Sequence, residues 1–328
     1  MRMESSVVSV SWIPWGAVEG MVKVPFEMGV AHYDMPPPDR LTDLQALLAS
    51  SAVRFANELR AWVEMDGGKV TGCGHVGKGH MGSTSMRVAG LGVTFPGVSF
   101  PDLRGEPEVR EDAVRFTQTV GGRAGMPAPR RVRRRPFAQL AAPTVWSTLA
   151  LTIYADGSSD FEVVGASPFP RHWIYDHDGR LAAKTGFIDF ETWYRESFGD
   201  KSPWGDEESP VIVTAVESAL ERELSRLIIG SDPPFRRLSP GEALVEQGEP
   251  GEELFLLFDG ILSLEQDGRP VVEIGPGAIL GEMALLEGGR RTATLRAVTP
   301  CRVAVVHGDR VNREMLTELA RRRRGDAP

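Results

Sequence analysis

The sequence predicts a mainly β protein with some α-helix: an N-terminal antiparallel, β-rich α+β domain, a helical connector and a C-terminal jelly-roll-like β-roll. Three observations support this fold class. Short alternating or apolar runs separated by turn residues fill residues 1 to about 200, as in antiparallel sheets. A helical period follows, and short strands punctuated by glycine begin at Phe235. We therefore divide the chain into 1–208, 209–230 and 231–328.

Hairpin turns and one short helix are predicted within the N-terminal domain. Asp-Gly pairs favour tight hairpin turns, and three of them separate β-type runs: Asp66-Gly67, Asp156-Gly157 and Asp178-Gly179. The prolines Pro36 to Pro38 exclude regular structure. Asp39 and Thr42 are candidate caps for a short helix that runs to about Ala49.

The connector is predicted to be one amphipathic helix from Ser209 to Gly230. Serine at the cap followed by Pro210 is a favourable helix start. Apolar residues then recur at intervals of three and four, the spacing of a helical stripe: Val213, Val216, Leu220, Leu224 and Leu227. The helix ends before Pro233, and we interpret it as the link between two domains.

Two other helices are expected near the ends of these domains. Phe190 to Phe198 has a short helical period. Asp309 is a candidate cap for a final helix that reaches Arg324, where the run Arg321 to Arg324 favours the negative end of the helix dipole.

Composition and charge exclude several classes of function. The net charge of −8 over 328 residues argues against a surface that attracts nucleic acid throughout. We interpret the run PRRVRRRP around Arg130 as a charged edge strand. No helix-turn-helix pattern follows the β-roll, so direct DNA binding is not expected. No apolar run is long enough for a membrane helix, and Cys73 and Cys301 imply no disulfide framework. A reduced, cytoplasmic protein without membrane association is the expectation.

A metal site is not expected. Cys73, His75 and His80 lie close together in sequence, but a metal site needs three or four converging ligands. We interpret these side chains as part of a glycine-rich turn region.

The most informative segment runs from Gly281 to Thr294, GEMALLEGGRRTAT. It starts with glycine at a strand end, passes through a short apolar helical turn, and crosses Gly-Gly before it returns to a strand. Such a segment aims backbone N–H groups at one point, and a helix N-terminus favours an anion. Arg291 has a planar fork that matches phosphate oxygens, and Glu282 can accept a sugar hydroxyl. A phosphate joined to a sugar suits this set of groups.

At this segment the sequence resembles the cyclic-nucleotide-binding family, which occurs in catabolite activator proteins and in regulatory subunits of cAMP-dependent kinase. GEMALLEGGRRTATLRA resembles the family's phosphate-binding cassette. LSPGEALVEQGEPGEELFLLFDGILSL upstream is similar to its strand and glycine pattern, and IGPGAILGEM to its approach to the cassette. The resemblance covers about Phe235 to His307. Over its whole length the chain resembles two-domain bacterial proteins.

The resemblance implies a role for each cassette residue. Glu282 would hold the ribose 2′-hydroxyl, and Arg291 would pair with the cyclic phosphate. Backbone N–H groups would come from Gly281, Ala284 and Thr292. The implied ligand is cAMP or cGMP. Arg290 departs from the pattern, because many members have proline there.

Three functional hypotheses follow. In the first, cAMP or cGMP binds the C-terminal domain and modulates the N-terminal domain, as in a regulatory sensor. In the second, the N-terminal domain is a nucleotide-gated enzyme acting on a small molecule; however, no catalytic arrangement in that domain has the required spacing, and His172 beside Trp173 only suggests a pocket. In the third, the C-terminal fold binds no nucleotide and serves assembly, for example as a homo-oligomer.

Overall fold

The computed structural model describes residues 1–29, 31–50, 52–88, 91–125, 128–131, 138–196, 203 and 213–323. By its internal contacts the chain divides into two compact units, Met1–Val213 and Thr214–Pro328. Both are built mostly of β-strands with few helices, as the sequence predicts. No helix of the described ranges is both long and apolar enough to cross a membrane.

The N-terminal unit contains most of the strands. They are β1 (Arg2–Trp12), β2 (Phe55–Asp66), β3 (Lys69–His75), β4 (Gly79–Met81), β5 (Ser83–Val88), β6 (Leu91–Pro96), β7 (Val98–Ser99), β8 (Leu103–Arg104), β9 (Glu108–Val109), β10 (Ala113–Arg123), β11 (Ala128–Arg131), β12 (Ala138–Ala141), β13 (Thr144–Tyr154), β14 (Ser159–Ala166), β15 (Arg171–Tyr175) and β16 (Leu181–Thr185). Strand β17 (Val213–Ala215) lies at the boundary between the two units in the chain. Its helices are α1 (Val24–Glu27), α2 (Leu44–Ala49) and α3 (Phe190–Glu196), with a 3-10 turn at Gly20–Lys23.

Two large sheets form the N-terminal unit. One has the strand order β16-β15-β1-β2-β3, with β4 also paired to β2; the other has the order β14-β13-β10-β7, with β8 and β9 also paired to β10. Strands β5 and β6 form a separate pair, as do β11 and β12. Alternate residues of β2 face inward, including Leu59 and Val63, and they pack with Phe116, Leu149 and Leu151 of the second sheet. This shared apolar layer makes the unit a sandwich.

The predicted hairpins of the N-terminal unit are confirmed. Each of the three Asp-Gly pairs lies in the turn between antiparallel neighbours, namely β2 and β3, β13 and β14, and β15 and β16. The cap of the first predicted helix is different, however. Asp43, rather than Asp39 or Thr42, caps α2, because its carboxylate accepts the Ala46 N–H at 2.9 Å.

Over residues 214–323, the described part of the C-terminal unit, the chain forms a β-roll of two four-stranded sheets with three helices. Its strands are β18 (Phe235–Leu238), β19 (Ala243–Val245), β20 (Glu253–Asp259), β21 (Leu262–Gln266), β22 (Arg269–Ile274), β23 (Ile279–Leu280), β24 (Thr294–Ala297) and β25 (Cys301–His307). The sheet orders are β18-β25-β20-β23 and β19-β24-β21-β22. Both sheets contribute to one apolar core, which includes Phe255, Leu257, Leu262, Leu295 and Val303.

Three helices belong to this unit: α4 (Ala219–Gly230), α5 (Glu282–Leu286) and α6 (Arg313–Arg323). A second apolar cluster joins them to the roll. It contains Leu224 and Ile228 of α4 together with Leu316 and Leu319 of α6. Helices α4 and α6 therefore pack on the same side of the roll and share one core.

The predicted connector helix starts in the wrong place. Helix α4 begins at Ala219, and Val213–Ala215 is a strand, while Ser209 and Pro210 lie outside the described residues. The start is set by a capping box: the Ser218 hydroxyl accepts the Glu221 N–H, and the Glu221 carboxylate accepts the Ser218 N–H. The capping box gives hydrogen-bond partners to the first N–H groups of α4, so the helix begins there. Val213 and Val216 have helical spacing in the sequence, but they lie before the helix.

The other two predicted helices, α3 and α6, are present, but their observed ends differ from the predicted ends. Asn312, rather than Asp309, starts α6, since its side-chain oxygen accepts the Glu314 N–H at 2.8 Å. Asp309 lies in a 3-10 turn at Gly308–Arg310. Helix α3 covers Phe190–Glu196, and the remainder of that prediction lies outside the described residues, as does Arg324. The first residues of the arginine run are in strand β11, and residues 132–137 are also outside.

His172 lies in the core of the N-terminal unit rather than in a pocket. It is fully buried: its Nε2–H donates to the Ser167 carbonyl at 3.1 Å, and its Nδ1 accepts from the Ser11 hydroxyl at 2.6 Å. Burial lowers the pKa of His172 to about 4, because the charged imidazolium loses its solvation. The ring is therefore neutral in the folded protein at neutral pH.

We predict that His172 makes the N-terminal unit acid-sensitive. Its folded-state pKa lies below the ordinary 6.5, so the unfolded state binds the proton first and stability falls as the pH drops from 6.5 towards 4. Between pH 6.5 and pH 5 the expected loss is about 2 kcal/mol. Urea unfolding followed by tryptophan fluorescence measures it, because all seven tryptophans precede residue 214. The His172→Gln variant should lack this component; an equal pH dependence in both proteins would contradict the assignment.

Candidate functional site

The predicted cassette is a tight strand-to-helix turn in the C-terminal unit. Strand β23 ends at Leu280, Gly281 has φ of 89°, and α5 begins at Glu282. This left-handed backbone favours glycine. A Cβ at Gly281 would lie 2.8 Å from the Glu253 carbonyl oxygen and 2.7 Å from the Arg291 guanidinium. The first N–H groups of α5 have no partner within the helix, so this turn also supplies donors.

Arg291 lies against this turn with its guanidinium held in place. Its Nη1 donates to the Glu253 carbonyl at 2.9 Å, with a longer contact of 3.5 Å to the Gly281 carbonyl. The guanidinium lies 5.0 Å from the centre of the Phe255 ring, a cation–π distance. Arg291 is only 5% exposed. The charge is thus buried and its position is fixed by the backbone of β20.

The buried charge of Arg291 lacks a compensating anion. It forms no ion pair with a carboxylate of the described residues, and its Nε is buried without a hydrogen-bond partner among them. Burial lowers the pKa of Arg291, although the more distant charges of Glu253 and Glu249 oppose this effect. Because an uncompensated buried charge is unfavourable, this position favours an anion.

A second glycine makes room for this guanidinium. A Cβ on Gly251 would lie 2.1 Å from the Arg291 Nε, well inside any permitted contact. Gly251 has no left-handed backbone, so the space it leaves for Arg291 is the property that requires glycine here. The Arg291 N–H donates to Glu249 in the same loop, at 2.8 Å. The loop before β20 therefore holds Arg291 from both its backbone and its side chain.

Glu282 is the second buried charge of the site, at 3% exposure. One of its carboxylate oxygens accepts Nη1 of Arg323 at 2.7 Å. Arg323 is the last residue of α6, and its Nη2 donates to Glu221 of α4. The carboxylate predicted to hold a sugar thus already has a protein partner.

One cleft brings all five predicted site residues together. Gly281, Glu282, Ala284, Arg291 and Thr292 line it, and the remaining lining residues are Val245, Leu264, Leu280, Met283, Ala293, Leu295 and Arg323. Thr292 is exposed, whereas Ala284 is buried. The cleft encloses about 80 Å³, several times the roughly 10–15 Å³ that one water molecule needs. A guanidinium, a carboxylate and an apolar wall therefore face one space.

Arg290, where the sequence departs from the family pattern, points elsewhere. Its Nη1 donates to the Gly248 carbonyl at 2.7 Å, and the residue is exposed. The backbone of Arg290 forms a bridge with Pro250. Arg290 thus fastens the cassette to the β19–β20 loop, and it does not line the cleft.

Sequence reasoning missed the role of Arg323. It treated Arg321 to Arg324 as one run that terminates a helix. Within α6, however, Arg323 follows Leu316, Leu319 and Ala320 at helical spacing, and all three are buried. This spacing places Arg323 on the inward face of the helix. The apolar positions Leu316, Leu319 and Ala320 were therefore the sequence signal: continued by one helical turn, they lead to Arg323 and not to the neighbouring arginines.

Cys73, His75 and His80 contact other parts of the N-terminal unit, with Cys73 packed against its apolar core. His80 Nε2 lies 3.1 Å from a Glu58 oxygen, and the His75 ring packs edge-on against Phe116 at 5.1 Å. Over the described ranges, no group of three or more His, Cys, Asp or Glu side chains is arranged to hold a metal ion.

The buried arginine, the buried glutamate and the glycine turn thus lie together on one β-roll. Residues 235–318 match the family model of the cyclic nucleotide-binding domain. This span includes the whole cassette and both sheets of the roll. The C-terminal unit therefore carries a cyclic nucleotide-binding domain.

Relatives among curated proteins match less than a third of the chain. The potassium/sodium hyperpolarization-activated cyclic nucleotide-gated channel 2 of Mus musculus is 33% identical over 90 residues, which cover 27% of this chain and 10% of the channel. An uncharacterized protein of Mycobacterium tuberculosis is 36% identical over 111 residues, covering 30% of this chain and 22% of that protein. The chain thus spans about a tenth of the length of the channel relatives.

Solved structures are similar over about a third of the chain. The Thermus thermophilus catabolite activator protein is 28% identical, with 32% of this chain and 55% of that chain covered and a TM-score of 0.27. The regulatory domain of Toxoplasma gondii PKA, crystallised with cAMP, is 27% identical, with 32% and 46% covered and a TM-score of 0.27.

We predict that Gly281→Ala destabilises the C-terminal unit by about 2 kcal/mol, since a left-handed non-glycine residue costs roughly 1–3 kcal/mol and its Cβ would contact backbone. Gly230→Ala is the matched control, because a Cβ there meets nothing within 4 Å. Hydrogen exchange of the slowest amides in β20 measures the difference. Equal exchange in the two variants would show that the turn tolerates a side chain.

Proposed function

We propose that the C-terminal unit binds a cyclic nucleotide, cAMP or cGMP, and that this binding modulates the N-terminal unit. The observation that carries the proposal is Arg291: a buried guanidinium with no carboxylate partner among the described residues, opening onto the same cleft as Glu282. The chain would then act as a regulatory sensor.

A cyclic phosphodiester suits the charges of this cleft. It carries one negative charge, which one guanidinium compensates, and its oxygens match the donors of Arg291 and of the first turn of α5. Glu282 lies on the same cleft and can accept the ribose 2′-hydroxyl. The family match over 235–318 supports this assignment. The channel relative is itself named as cyclic nucleotide-gated.

The base would contact the apolar wall of the cleft. Val245, Leu264 and Leu295 are apolar lining residues, and they suit a purine ring without selecting between adenine and guanine. The exposed Thr292 side chain stands at the same cleft. We therefore keep both cAMP and cGMP as ligands of the proposal.

We predict that Arg291→Ala weakens cyclic nucleotide binding by about 100-fold, or ~3 kcal/mol, because a buried charge pair is lost. Arg290→Ala removes the same charge from the adjacent exposed residue and should change affinity less than about threefold, since isolated surface charges contribute little. Isothermal titration calorimetry of the full chain with cAMP and with cGMP measures both.

The Gly251→Ala variant tests whether the position of the Arg291 guanidinium matters for binding, with the charge of the site kept. It leaves the net charge unchanged, but the new Cβ would displace the Arg291 guanidinium. The affinity of Gly251→Ala for cyclic nucleotide should fall, as for Arg291→Ala.

The absence of binding heat for wild type with either nucleotide would refute the proposed ligand class. Equal affinities of the two arginine variants would refute the role of Arg291.

The proposed coupling follows the covalent path between the units. Strand β17 ends at Ala215, and the capping box of α4 starts three residues later at Ser218. Helix α4 packs with α6 and with the roll through Leu224 and Ile228. A ligand that binds two arrangements of these helices with different affinity shifts their populations, and the segment that leads into β17 would carry the change.

We predict that saturating cyclic nucleotide changes the tryptophan emission of the full chain. All seven tryptophans and all four tyrosines precede residue 214, so the emission reports on the N-terminal unit while the ligand binds elsewhere. Excitation at the red edge of the tryptophan band avoids absorption by the nucleotide. Arg291→Ala at the same nucleotide concentration is the control. Tight binding by calorimetry with unchanged emission and unchanged hydrogen exchange in β1, β2 and β16 would contradict coupling.

A further inference from the structure

Arg323 joins two carboxylates from different helices. Its Nη1 donates to Glu282 of α5, and its Nη2 donates to Glu221 of α4, while the residue itself belongs to α6. We call these three side chains the Arg323 clasp. A guanidinium has a planar fork that can serve two acceptors at once. All three helices of the C-terminal unit therefore meet at one charged contact.

The clasp is largely buried and electrostatically strong. Glu282 and Glu221 are 3% and 8% exposed, and about a third of the Arg323 side chain is exposed. Burial lowers the pKa of Arg323, but the two carboxylates outweigh it and raise the pKa above its ordinary value. Burial raises the pKa of Glu221, but Arg323 and hydrogen bonds with Ser218 outweigh it, so this pKa lies below the usual 4.5. Both pKa shifts favour the charged forms of the two partners, so the contact is an ion pair in this structure.

The clasp occupies the carboxylate that the proposed ligand needs. Arg323 lines the cleft together with Arg291 and Glu282. The cleft volume of about 80 Å³ is below the roughly 300–1,000 Å³ of sites that enclose ligands of drug size. Among the charged lining side chains, Arg323 alone comes from neither the roll nor the cassette. Its departure would both enlarge the cleft and expose Glu282.

We propose that Arg323 is a displaceable internal competitor, so that the sugar hydroxyl of a cyclic nucleotide takes over Glu282 and releases the end of α6 from the cassette. This inference rests on the proposed function. It assigns Arg323 a positioning role: it sets affinity by how strongly it holds Glu282, and its release is the event that the ligand drives.

The release of Arg323 would reach α4 directly. Glu221 is the third residue of α4, and its carboxylate also accepts the Ser218 N–H in the capping box. The same side chain contacts the Ile279 N–H of β23 at 3.4 Å. A change in how Arg323 shares its charge between two carboxylates therefore alters the start of α4, which is the helix next to β17 in the chain.

The test compares Arg323→Ala with Arg321→Ala, which removes the same charge from the same helix at a residue that pairs with Glu318. Affinities of the full chain for cAMP and cGMP are measured by calorimetry, in the wild-type background and in Glu282→Gln. Arg323→Ala should bind at least about fivefold more tightly than Arg321→Ala, the lower end of typical coupling between sites. In the Glu282→Gln background this difference should disappear, because no carboxylate is left to compete for.

Hydrogen exchange without nucleotide adds a readout that does not depend on binding. Arg323→Ala should exchange faster than Arg321→Ala in α6 and in the first turn of α4, with β20 unchanged as evidence of an intact roll. Equal exchange in the two variants would overturn the clasp.

The outcomes separate this inference from the proposed function. Wild-type binding combined with equal or weaker binding by Arg323→Ala would overturn displacement and leave the ligand class intact. Tighter binding that persists in Glu282→Gln would also overturn it, because Arg323 would then act only through its bulk or charge. No binding by wild type or by Arg323→Ala would overturn displacement and the ligand class together.

Discussion

The C-terminal site depends on one physical constraint, the burial of the Arg291 guanidinium. A charge that is almost fully removed from water needs hydrogen bonds and a counter-charge. The Glu253 carbonyl and the Phe255 ring provide part of this stabilisation, and Gly251 and Gly281 provide the space. The described part of the protein leaves Nε without a partner. The surrounding fold thus holds a buried cation in place, and the phosphate of the proposed nucleotide would supply the missing counter-charge.

The sequence was sufficient for the parts of the structure that are local. Asp-Gly pairs fix hairpin turns over two or three residues. The cassette from Gly281 to Thr292 is one continuous segment, so its residues lie close together because they are neighbours in the chain. The β-roll followed from glycine spacing for the same reason. The start of α4 was also local, but the competing apolar spacing that includes Val213 and Val216 suggested a longer helix than the Ser218–Glu221 capping box allows.

Contacts between residues that are far apart in the sequence could not be predicted from local sequence patterns. Arg323 and Glu221 are 102 positions apart, and four consecutive arginines are alike in composition. Burial of Leu316 and Leu319 against the shared core fixes which face of α6 points inward. Only this orientation determines which arginine reaches the cleft. Gly251 is similar: its role is visible only because Arg291, folded back from another loop, fills the space above it. Side-chain packing, rather than local propensity, decides both.

The two charged groups of the site differ in a way that has consequences for regulation. Arg291 has no carboxylate partner among the described residues, whereas Glu282 is paired with Arg323. The proposed nucleotide would gain the first contact without breaking a protein ion pair, while its sugar would have to compete for the second. In the proposed binding mode, phosphate recognition would therefore provide affinity, and sugar recognition would provide the link to α6 and α4. Because coupling free energy is reciprocal, any contact that tightens α4 at Glu221 must lower ligand affinity by the same factor by which the ligand loosens α4.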